Sequence, residues 1–194
     1  MYEVELKVAA DHAPVQERLA TLDARPLGAV EQVDTYFEHP VRDFAETNEA
    51  LRIRLETRGG DTDTRITYKG PLVDSASKTR EERETGVEDG DTMERILATL
   101  GFDRFETVEK HRERFEHGEY TVTLDSVMGL GEYVEVETEA ETVEPAREGA
   151  VAVLRDLGLD PDAQIRTSYL GLLLGAARIM LRSNRRPGFG FRKL

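Results

Sequence analysis

The sequence predicts an α+β protein in which eight antiparallel strands close into a β-barrel and helices pack on its outside. Charged and aliphatic residues alternate in several segments, of which Glu3-Val4-Glu5-Leu6-Lys7-Val8 is the first, and a period of two is typical of strands. Short glycine-containing links join several of these segments, which indicates antiparallel neighbours because parallel strands need a long crossover. Amphipathic helical segments lie between the others.

The alternation, together with the turn residues that bound it, predicts eight strands. The clearest turns are Gly59-Gly60-Asp61, His117-Gly118 and Met128-Gly129-Leu130-Gly131. The predicted strands cover residues 1–9, 28–39, 50–58, 63–70, 77–87, 104–116, 119–127 and 131–141.

Four helices are expected between and after the strands. The first covers Asp11–Asp23 and the third Pro145–Gly158, since proline is typical of a first turn and glycine of the residue after a helix. The second covers Asp91–Gly101, because Asp91-Thr92-Met93-Glu94 has the spacing of a capping box with aspartate as the cap. The fourth extends from Ile165 toward Leu181.

The charged faces of the strands predict an enclosed polar interior. The apolar sides, such as Leu51, Ile53 and Leu55, need cover, which the amphipathic helices supply from outside. The charged sides then face inward, where ions are expensive to bury unless they pair, bind a metal or bind a charged ligand. A solvated face with cross-strand ion pairs explains any single strand equally well, but four strands share the pattern. Eight strands can close around a channel that holds one small ligand.

Charges of both signs in this interior indicate a triphosphate bound together with a divalent metal. Arginine forks match phosphate oxygens and lysines add point charge, whereas carboxylates repel a polyphosphate unless Mg²⁺ or Mn²⁺ lies between them. A single phosphate or carboxylate would not need so many cations. The candidate cations are Lys7, Arg52, Arg54, Arg65, Lys69, Arg80, Lys110 and Arg112, and the candidate acids are Glu3, Glu5, Glu82, Glu84, Asp125, Glu135 and Glu137.

Composition narrows the setting in which the protein works. The 194 residues suit one domain, and 39% hydrophobic residues suffice for a core. A net charge of −13 argues against nucleic-acid binding and is typical of proteins from a high-salt cytoplasm. The absence of cysteine excludes disulfides and thiolate chemistry. The longest apolar stretch, Tyr169–Leu181, is too short for a bilayer, and a strand pattern follows Met1 directly, so we expect a cytoplasmic protein without a membrane segment.

A series of motifs follows a characteristic order along residues 1–175. Glu3-x-Glu5-x-Lys7 opens it, and Asp43-Phe44-Ala45-Glu46-Thr47 leads into Leu51. The other motifs are Asp34-Thr35-Tyr36-Phe37, Leu51-Arg52-Ile53-Arg54, Thr67-Tyr68-Lys69-Gly70-Pro71, Arg80-x-Glu82, Lys110-x-Arg112, Leu124-Asp125, Gly131-Glu132-Tyr133-Val134-Glu135-Val136-Glu137 and Ser168-Tyr169-Leu170. This order resembles the CYTH superfamily, the triphosphate tunnel metalloenzymes. Within it, the segment before Leu51 resembles the class IV adenylyl cyclase branch most closely.

The resemblance implies an eight-stranded tunnel that binds a triphosphate with Mg²⁺ or Mn²⁺. It implies Glu3, Glu5, Glu135 and Glu137 as metal ligands and Lys7, Arg52, Arg54, Lys69, Lys110 and Arg112 as phosphate contacts, to which the charge pattern adds Arg65 and Arg80. The expected catalytic set is Glu5, Lys7, Asp125 and Glu137. Asp125 is equally suited to capping the turn that follows it. The inward direction of Arg80, Glu82 and Glu84 rests on the resemblance, because their strand is polar on both faces.

The reaction that this resemblance implies is the cyclisation of ATP to 3′,5′-cyclic AMP and pyrophosphate. The same tunnel is compatible with hydrolysis of tripolyphosphate, thiamine triphosphate or a nucleoside triphosphate. A third hypothesis is a non-catalytic polyphosphate or nucleotide sensor, although a pure binder needs only the cations and not the glutamates.

Residues 176–194 differ from the expected tunnel domain, residues 1–175. They contain six basic residues and no acidic ones. Such a tail is a solvated terminus, or it docks on the protein itself, on a neighbouring subunit or on an anionic partner. A homodimer is also compatible with the sequence, since Leu170, Leu172, Leu173 and Leu174 suit either an interface or core packing.

Overall fold

All eight predicted strands are present in a computed structural model, which describes residues 2–74 and 76–183. The strands are β1 Tyr2–Ala9, β2 Arg25–Glu38, β3 Ala50–Arg58, β4 Asp61–Lys69, β5 Glu82–Gly86, β6 Asp103–His117, β7 Tyr120–Val127 and β8 Gly131–Ala140. The helices of the described residues are α1 His12–Thr21, α2 Phe44–Thr47, α3 Gly90–Thr99, α4 Val143–Asp156 and α5 Tyr169–Ser183, and Pro161–Ala163 forms a 3-10 turn.

The strands form one antiparallel sheet that curls until its two edges meet. Their order is β1-β8-β7-β6-β2-β3-β4-β5. The segment before β5, residues 70–74 and 76–81, runs along the free edge of β1 and is called the closing segment below. In it, the Lys78 N–H donates to the Glu5 carbonyl at 3.2 Å, and the Arg80 carbonyl accepts the Glu3 N–H at 3.2 Å. Because the closing segment continues into β5, which pairs with β4, the predicted barrel is confirmed.

Alternation along the strands places apolar side chains outside the barrel, under the helices. Leu6 of β1 and Val134 of β8 lie in a buried cluster with Leu154 of α4. On the opposite wall, Ile53 of β3 is buried with Leu97 of α3. A shift of one residue in any of these strands would place its charged row against the helices, so burial of the apolar face fixes the inward direction of the charges.

One end of the barrel interior is closed by aromatic and aliphatic side chains. Tyr36, Val108, Val127 and Tyr133 lie on the inward faces of β2, β6, β7 and β8, and each is buried. Since neighbouring strands are antiparallel, all four occupy the same end of the barrel. Tyr169, the first residue of α5, packs against them. The charged residues therefore line a chamber with an apolar floor.

The predicted cap of α3 is wrong. The helix is capped by Asp89, whose backbone is extended and whose Oδ1 accepts the N–H of Thr92 at 2.9 Å. Asp91 lies inside the first turn, where a negative charge still favours the helix dipole. The short helix α2 was not predicted from the sequence. Asp43 caps it by accepting hydrogen bonds from the N–H groups of Ala45 and Glu46.

The start of α5 and the length of β5 also differ from the prediction. The Ile165 N–H donates to the carbonyl of Lys7 at 2.7 Å, so the chain lies against β1 there and becomes helical only at Tyr169. β5 begins at Glu82, because residues before it belong to the closing segment. These shifts bring the residues before α5 to the edge of the barrel floor.

Among the described residues, no helix is both long and apolar enough to cross a membrane. α5 continues across residue 175, the predicted domain boundary. Residues 184–194, which make up most of the predicted basic tail, lie outside the described residues, so the role of that tail and the boundary stay predictions.

Candidate active site in the barrel interior

The barrel encloses a cavity of about 1710 Å³ whose wall carries charges of both signs. The predicted site residues on this wall are Glu3, Glu5, Arg52, Arg54, Arg65, Lys69, Arg80, Lys110, Arg112, Glu135 and Glu137. Lys7 and Asp125 are not on the wall. They are buried behind it, with 1% and 0% of their surfaces exposed. The structure therefore brings the predicted residues together in two layers, which are the cavity wall and a buried layer behind it that contains Lys7 and Asp125.

Asp34 fixes two of the predicted phosphate contacts. Its carboxylate accepts two hydrogen bonds from Arg54, at 2.6 Å from Nε and 2.7 Å from Nη2. It also accepts one from Nη1 of Arg52 at 3.2 Å. Burial raises the pKa of Asp34, but Arg52 and Arg54 lower it more, so this pKa lies well below its usual range. Both guanidinium groups are thus held in fixed positions at the cavity wall.

Asp125 fixes a third arginine in the same manner. Arg112 donates from Nε to Oδ1 of Asp125 at 2.7 Å and from Nη2 to Oδ2 at 2.5 Å. The same Nη2 donates to Oε2 of Glu135 at 2.6 Å. Burial lowers the pKa of Arg112, but the two carboxylates raise it well above its usual value. Asp125 lies within β7 and holds a guanidinium, so it does not cap the following turn.

Two lysines lie at the apolar floor, on the two sides of the cavity. Nζ of Lys7 donates to the carbonyl of Thr167 at 2.7 Å. Nζ of Lys110 is 3.8 Å from Asp125 and 4.0 Å from Asp34. Burial and the charge of Lys78 lower the pKa of Lys7 to about 8. Burial and the charge of Arg112 lower the pKa of Lys110 to about 7.

The four predicted metal ligands lie on β1 and β8, which pair side by side. Glu5 is opposite Glu137 in the register, and Glu3 lies one inward position further along β1. Burial raises the pKa of Glu137 to about 7; Arg112 opposes this shift, while the carboxylates of Glu3, Glu135 and Glu5 add to it. A half-buried acid among three other carboxylates is a place where a divalent cation would relieve repulsion.

Lysine side chains pair with Glu3 and Glu5 in the present arrangement. Glu5 accepts a hydrogen bond from Nζ of Lys78 at 2.6 Å, and Glu3 is 3.5 Å from Nζ of Lys69. Among the described residues, no group of three or more acidic or histidine side chains stands close enough to hold a metal ion as arranged. The oxygen donors suit Mg²⁺ or Mn²⁺ in kind and number. Binding such an ion requires the carboxylates of Glu3 and Glu5 to move away from their lysine partners.

The carboxyl groups of Glu82 and Glu3 both pair with Nζ of Lys69. Burial raises the pKa of Glu3, but Lys69 and the hydrogen bond from Glu82 lower it well below its usual range. Burial and the hydrogen bond to Glu3 raise the pKa of Glu82 to about 7, and Lys69 opposes that shift. Glu82 also accepts a hydrogen bond from Nζ of Lys69, so one ammonium group serves both carboxyl groups.

Arg65 and Arg80 differ in their exposure to solvent. Arg65 is exposed and pairs with Glu84 at 3.0 Å, at an open end of the cavity. Arg80 is buried, and its Nη1 donates to the carbonyls of Asn48 at 2.9 Å and Gly70 at 3.2 Å. Arg80 thereby holds the closing segment in place while one side of its guanidinium reaches the wall.

Two residues of the site, Asp34 and Lys78, are not among those predicted from the sequence. Asp34 belongs to a predicted motif, and it alternates with Gln32 and Tyr36 on the inward face of β2. Lys78 lies two residues before Arg80, a spacing that puts both side chains on one side of an extended chain. That spacing in the sequence indicates the direction of the Lys78 side chain. Nothing in the sequence indicates its contact with Glu5.

A match to a protein-family model identifies the family to which this chain belongs. Residues 1–169 match the CYTH domain family model. The chain belongs to the CYTH family. The motif order and the eight-stranded barrel predicted from the sequence are both confirmed by this membership.

Relatives of this CYTH chain cover nearly all of it. A Methanocaldococcus jannaschii protein named "Putative adenylate cyclase" is 39% identical over 176 residues, which is 89% of this chain and 98% of that protein. The solved structure of the PH1819 protein of Pyrococcus horikoshii is 38% identical with a TM-score of 0.84, covering 90% of this chain and 99% of that one. A Hippeastrum protein, named "Putative adenylyl cyclase" with a dominant triphosphatase activity, shares the fold at a TM-score of 0.64 and 17% identity, covering 90% and 95%.

CYTH proteins are adenylyl cyclase-like enzymes or triphosphatases, and the triphosphate tunnel metalloenzymes among them are generally metal-dependent. Family membership therefore supports an enzyme in general and a triphosphate as its class of substrate. The ionic interior of the barrel is the part of the CYTH chain suited to that substrate.

Proposed function

We propose that this CYTH protein is a metal-dependent adenylyl cyclase that converts ATP to 3′,5′-cyclic AMP and pyrophosphate. The observation that carries the proposal is that fixed arginines and paired glutamates face each other across one cavity. The name of the Methanocaldococcus jannaschii relative supports the choice of reaction.

The cations are the part of the site that would bind the phosphates. Arg52, Arg54 and Arg112 already have their positions set by buried aspartates, so little side-chain entropy is lost when phosphate oxygens bind to them. The cavity, at about 1710 Å³, exceeds the roughly 300–1,000 Å³ of common ligand pockets. It therefore has room for a nucleoside triphosphate and a hydrated ion.

The glutamates are the part that would hold the metal. Glu3, Glu5, Glu135 and Glu137 would bind Mg²⁺ or Mn²⁺ between β1 and β8, where Glu137 lies half-buried among like charges. A divalent ion bound there would supply Lewis-acid charge to the phosphate oxygens and lower the pKa of the ribose 3′-hydroxyl.

The side chains of the protein would then contribute binding and orientation. The arginines and lysines hold the β- and γ-phosphates, so that the ribose 3′-oxygen faces the α-phosphorus. A bond forms between these two atoms, the bond from the α-phosphorus to its bridging oxygen breaks to release pyrophosphate, and the proton of the 3′-hydroxyl passes to water. The cations stabilise the charge that develops on the leaving group. Positioning and electrostatics suffice for such phosphoryl chemistry, so no covalent nucleophile is required.

Hydrolysis of a triphosphate is the second candidate. The charged lining addresses the phosphate chain itself, and tripolyphosphate presents that chain alone. The Hippeastrum neighbour, with its dominant triphosphatase activity, supports the same alternative for this fold. In this reaction water would attack the terminal phosphorus while the same residues hold the chain.

The products distinguish these functions. The purified protein is incubated with ATP and either Mg²⁺ or Mn²⁺, and the nucleotides and phosphates are separated by ion-exchange chromatography. Cyclic AMP with pyrophosphate supports the cyclase, whereas ADP with orthophosphate overturns it in favour of the hydrolase. A parallel reaction with tripolyphosphate identifies a hydrolase of small substrates. Absence of any product, with retained binding of tripolyphosphate, would indicate the sensor instead, and a chelator control tests the metal requirement.

A further inference from the structure

The ring of Tyr169 contacts two buried ammonium groups at the floor of the cavity. Nζ of Lys7 is 4.2 Å from the ring centroid, and Nζ of Lys110 is 5.1 Å from it. Both distances are within the roughly 6 Å range of a cation–π contact. Lys7 comes from β1 and Lys110 from β6, so one aromatic ring contacts lysines of two strands that are not neighbours in the sheet.

We infer that Tyr169 is a positioning residue, whose ring holds Lys110 at the cavity wall and Lys7 in the layer behind it, and thereby sets the affinity for a triphosphate. The inference rests on the proposed function, since it takes the triphosphate as the ligand. It gives the last described helix a part in substrate binding, because Tyr169 is the first residue of α5.

The surroundings of the two lysines make the ring important. Each lysine is buried, with 1% and 6% of its surface exposed, and a cation–π contact is stronger where water is excluded. The carboxylates nearest to Nζ of Lys110 are 3.8 Å and 4.0 Å away, beyond hydrogen-bonding distance. The quadrupole of the ring therefore supplies part of the stabilisation that direct hydrogen bonds supply elsewhere.

The ring and not the hydroxyl is the active part of Tyr169. Its hydroxyl is buried and makes no hydrogen bond to any described residue. A buried hydroxyl without a partner costs stability and contributes nothing to lysine placement. Phenylalanine should therefore replace tyrosine here without loss, whereas an aliphatic residue should not.

The chain before Tyr169 fixes the position of the ring. The Ile165 N–H donates to the carbonyl of Lys7 at 2.7 Å, and the carbonyl of Thr167 accepts from the Lys7 ammonium. Gln164 donates through Nε2 to the carbonyl of Ala76 in the closing segment at 2.8 Å. These contacts join the residues before α5 to β1 and to the closing segment, so the ring cannot shift independently of the barrel.

The test is the affinity for tripolyphosphate without metal, measured by isothermal titration calorimetry on the full chain. We expect Tyr169→Leu to raise Kd about tenfold, the change that roughly 1.4 kcal/mol produces. Tyr169→Phe should bind as the wild type does. In turnover assays, Tyr169→Leu should raise KM and leave kcat within about twofold, as expected for loss of uniform binding.

Tyr133→Leu is the matched control for packing. Tyr133 lies in the same buried cluster, with its ring centroid 5.1 Å from that of Tyr169. It is not on the cavity wall. The control should lower the melting temperature about as much as Tyr169→Leu and leave Kd unchanged. Calorimetry is run below both melting temperatures, so that loss of fold and loss of lysine placement are separated.

Three outcomes would overturn the inference. Equal increases of Kd in Tyr133→Leu and Tyr169→Leu would mean that packing alone matters. An unchanged Kd in Tyr169→Leu, with normal binding by the wild type, would remove the role of the ring and leave the proposed function standing. A wild-type protein that does not bind tripolyphosphate would remove both.

Discussion

Buried aspartates fix the arginines on one side of the barrel interior, whereas lysines pair with Glu3 and Glu5 on the other. The arginine side comprises Arg52 and Arg54 with Asp34, and Arg112 with Asp125, on strands β3, β2, β6 and β7. The glutamate side comprises Glu3, Glu5, Glu135 and Glu137 with Lys69 and Lys78, on strands β1, β8 and β4 and the closing segment.

The two kinds of pairing have different rigidity. A guanidinium bound through two parallel hydrogen bonds is fixed in direction as well as in distance, whereas a lysine ammonium is a point charge on a flexible stem. The arginine side is therefore preorganised for phosphate oxygens. The glutamate side can release its lysines to phosphate when a metal ion replaces them, so we expect it to rearrange on binding.

Loss of Asp34 should give the largest effect on stability. Asp34→Asn removes the charge that neutralises Arg52 and Arg54, and breaking a buried ion pair costs about 3–5 kcal/mol of unfolding free energy. Urea denaturation measures this change. Glu116→Gln, in the exposed pair with Arg25, is the control, and it should change the free energy by less than about 1 kcal/mol. A similarly small loss for Asp34→Asn would show that the arginine side is not fixed by this carboxylate.

Glu5→Gln should have the opposite profile, with a large effect on turnover and a small one on stability. The amide still accepts a hydrogen bond from Lys78 but cannot supply an anionic oxygen to a metal. We expect turnover to fall by about 100-fold or more and the unfolding free energy to change by less than about 2 kcal/mol.

Glu109→Gln makes the same chemical change on an exposed position of β6 and should retain full activity. Comparison of the two variants in one product assay separates the loss of a metal-side carboxylate from a general loss of charge. Turnover by Glu5→Gln at the level of Glu109→Gln would take Glu5 out of the metal site.

Removal of Lys78 tests whether the glutamate side rearranges. Lys78 is bonded to Glu5 at 2.6 Å, and it competes with a metal ion for that carboxylate. Lys78→Met should therefore bind Mn²⁺ more tightly when no triphosphate is present, by about tenfold if roughly 1.4 kcal/mol of competition is lost. Titration followed by electron paramagnetic resonance measures free Mn²⁺. The exposed Arg83, which pairs with Glu81, provides the control Arg83→Met, and equal Mn²⁺ affinities in the two variants would contradict the competition.

The same comparison explains what the sequence could predict. Inward charges on β1, β3 and β8 were predictable because aliphatic residues such as Leu6, Ile53 and Val134 commit the other face to the core. Pairings across the barrel were not predictable. The contacts of Asp34 with Arg54 and of Lys78 with Glu5 depend on which strands become neighbours and in which register, and no local pattern encodes that.

The burial of Lys7 and Asp125 behind the cavity wall was equally inaccessible to sequence reasoning. Alternation gives the inward direction of a side chain but not its depth, which follows from the apolar floor and from the start of α5. The floor forms because Tyr36, Val127 and Tyr133 follow or precede the charged residues on antiparallel strands. Hydrophobic periodicity predicts that such residues are buried. It does not distinguish residues that close one end of a cavity from residues of a solid core.

Lys110 differs from the arginines of the arginine side, because no carboxylate lies within hydrogen-bonding distance of its ammonium group. We therefore expect a modest pH dependence of the affinity for tripolyphosphate. Its carboxylate neighbours are 3.8 Å and 4.0 Å away, and burial with the charge of Arg112 lowers its pKa to about 7. Only the charged form attracts phosphate, and a bound anion raises the pKa. Binding therefore takes up protons near pH 7, and affinity falls as pH rises through this value, by at most about tenfold per pH unit for one proton.

Calorimetry of metal-free tripolyphosphate binding between pH 6.5 and 7.5, in two buffers of different ionisation enthalpy, counts the protons taken up. Lys110→Arg stays charged throughout and should take up fewer protons than the wild type, while the titration of the ligand itself is common to both. Lys7, with a pKa of about 8, lies behind the cavity wall and is present in both proteins, so its titration does not distinguish them. Equal proton uptake by the two proteins near pH 7 would mean that Lys110 is held as firmly as the arginines, and the arginine side would then be uniform.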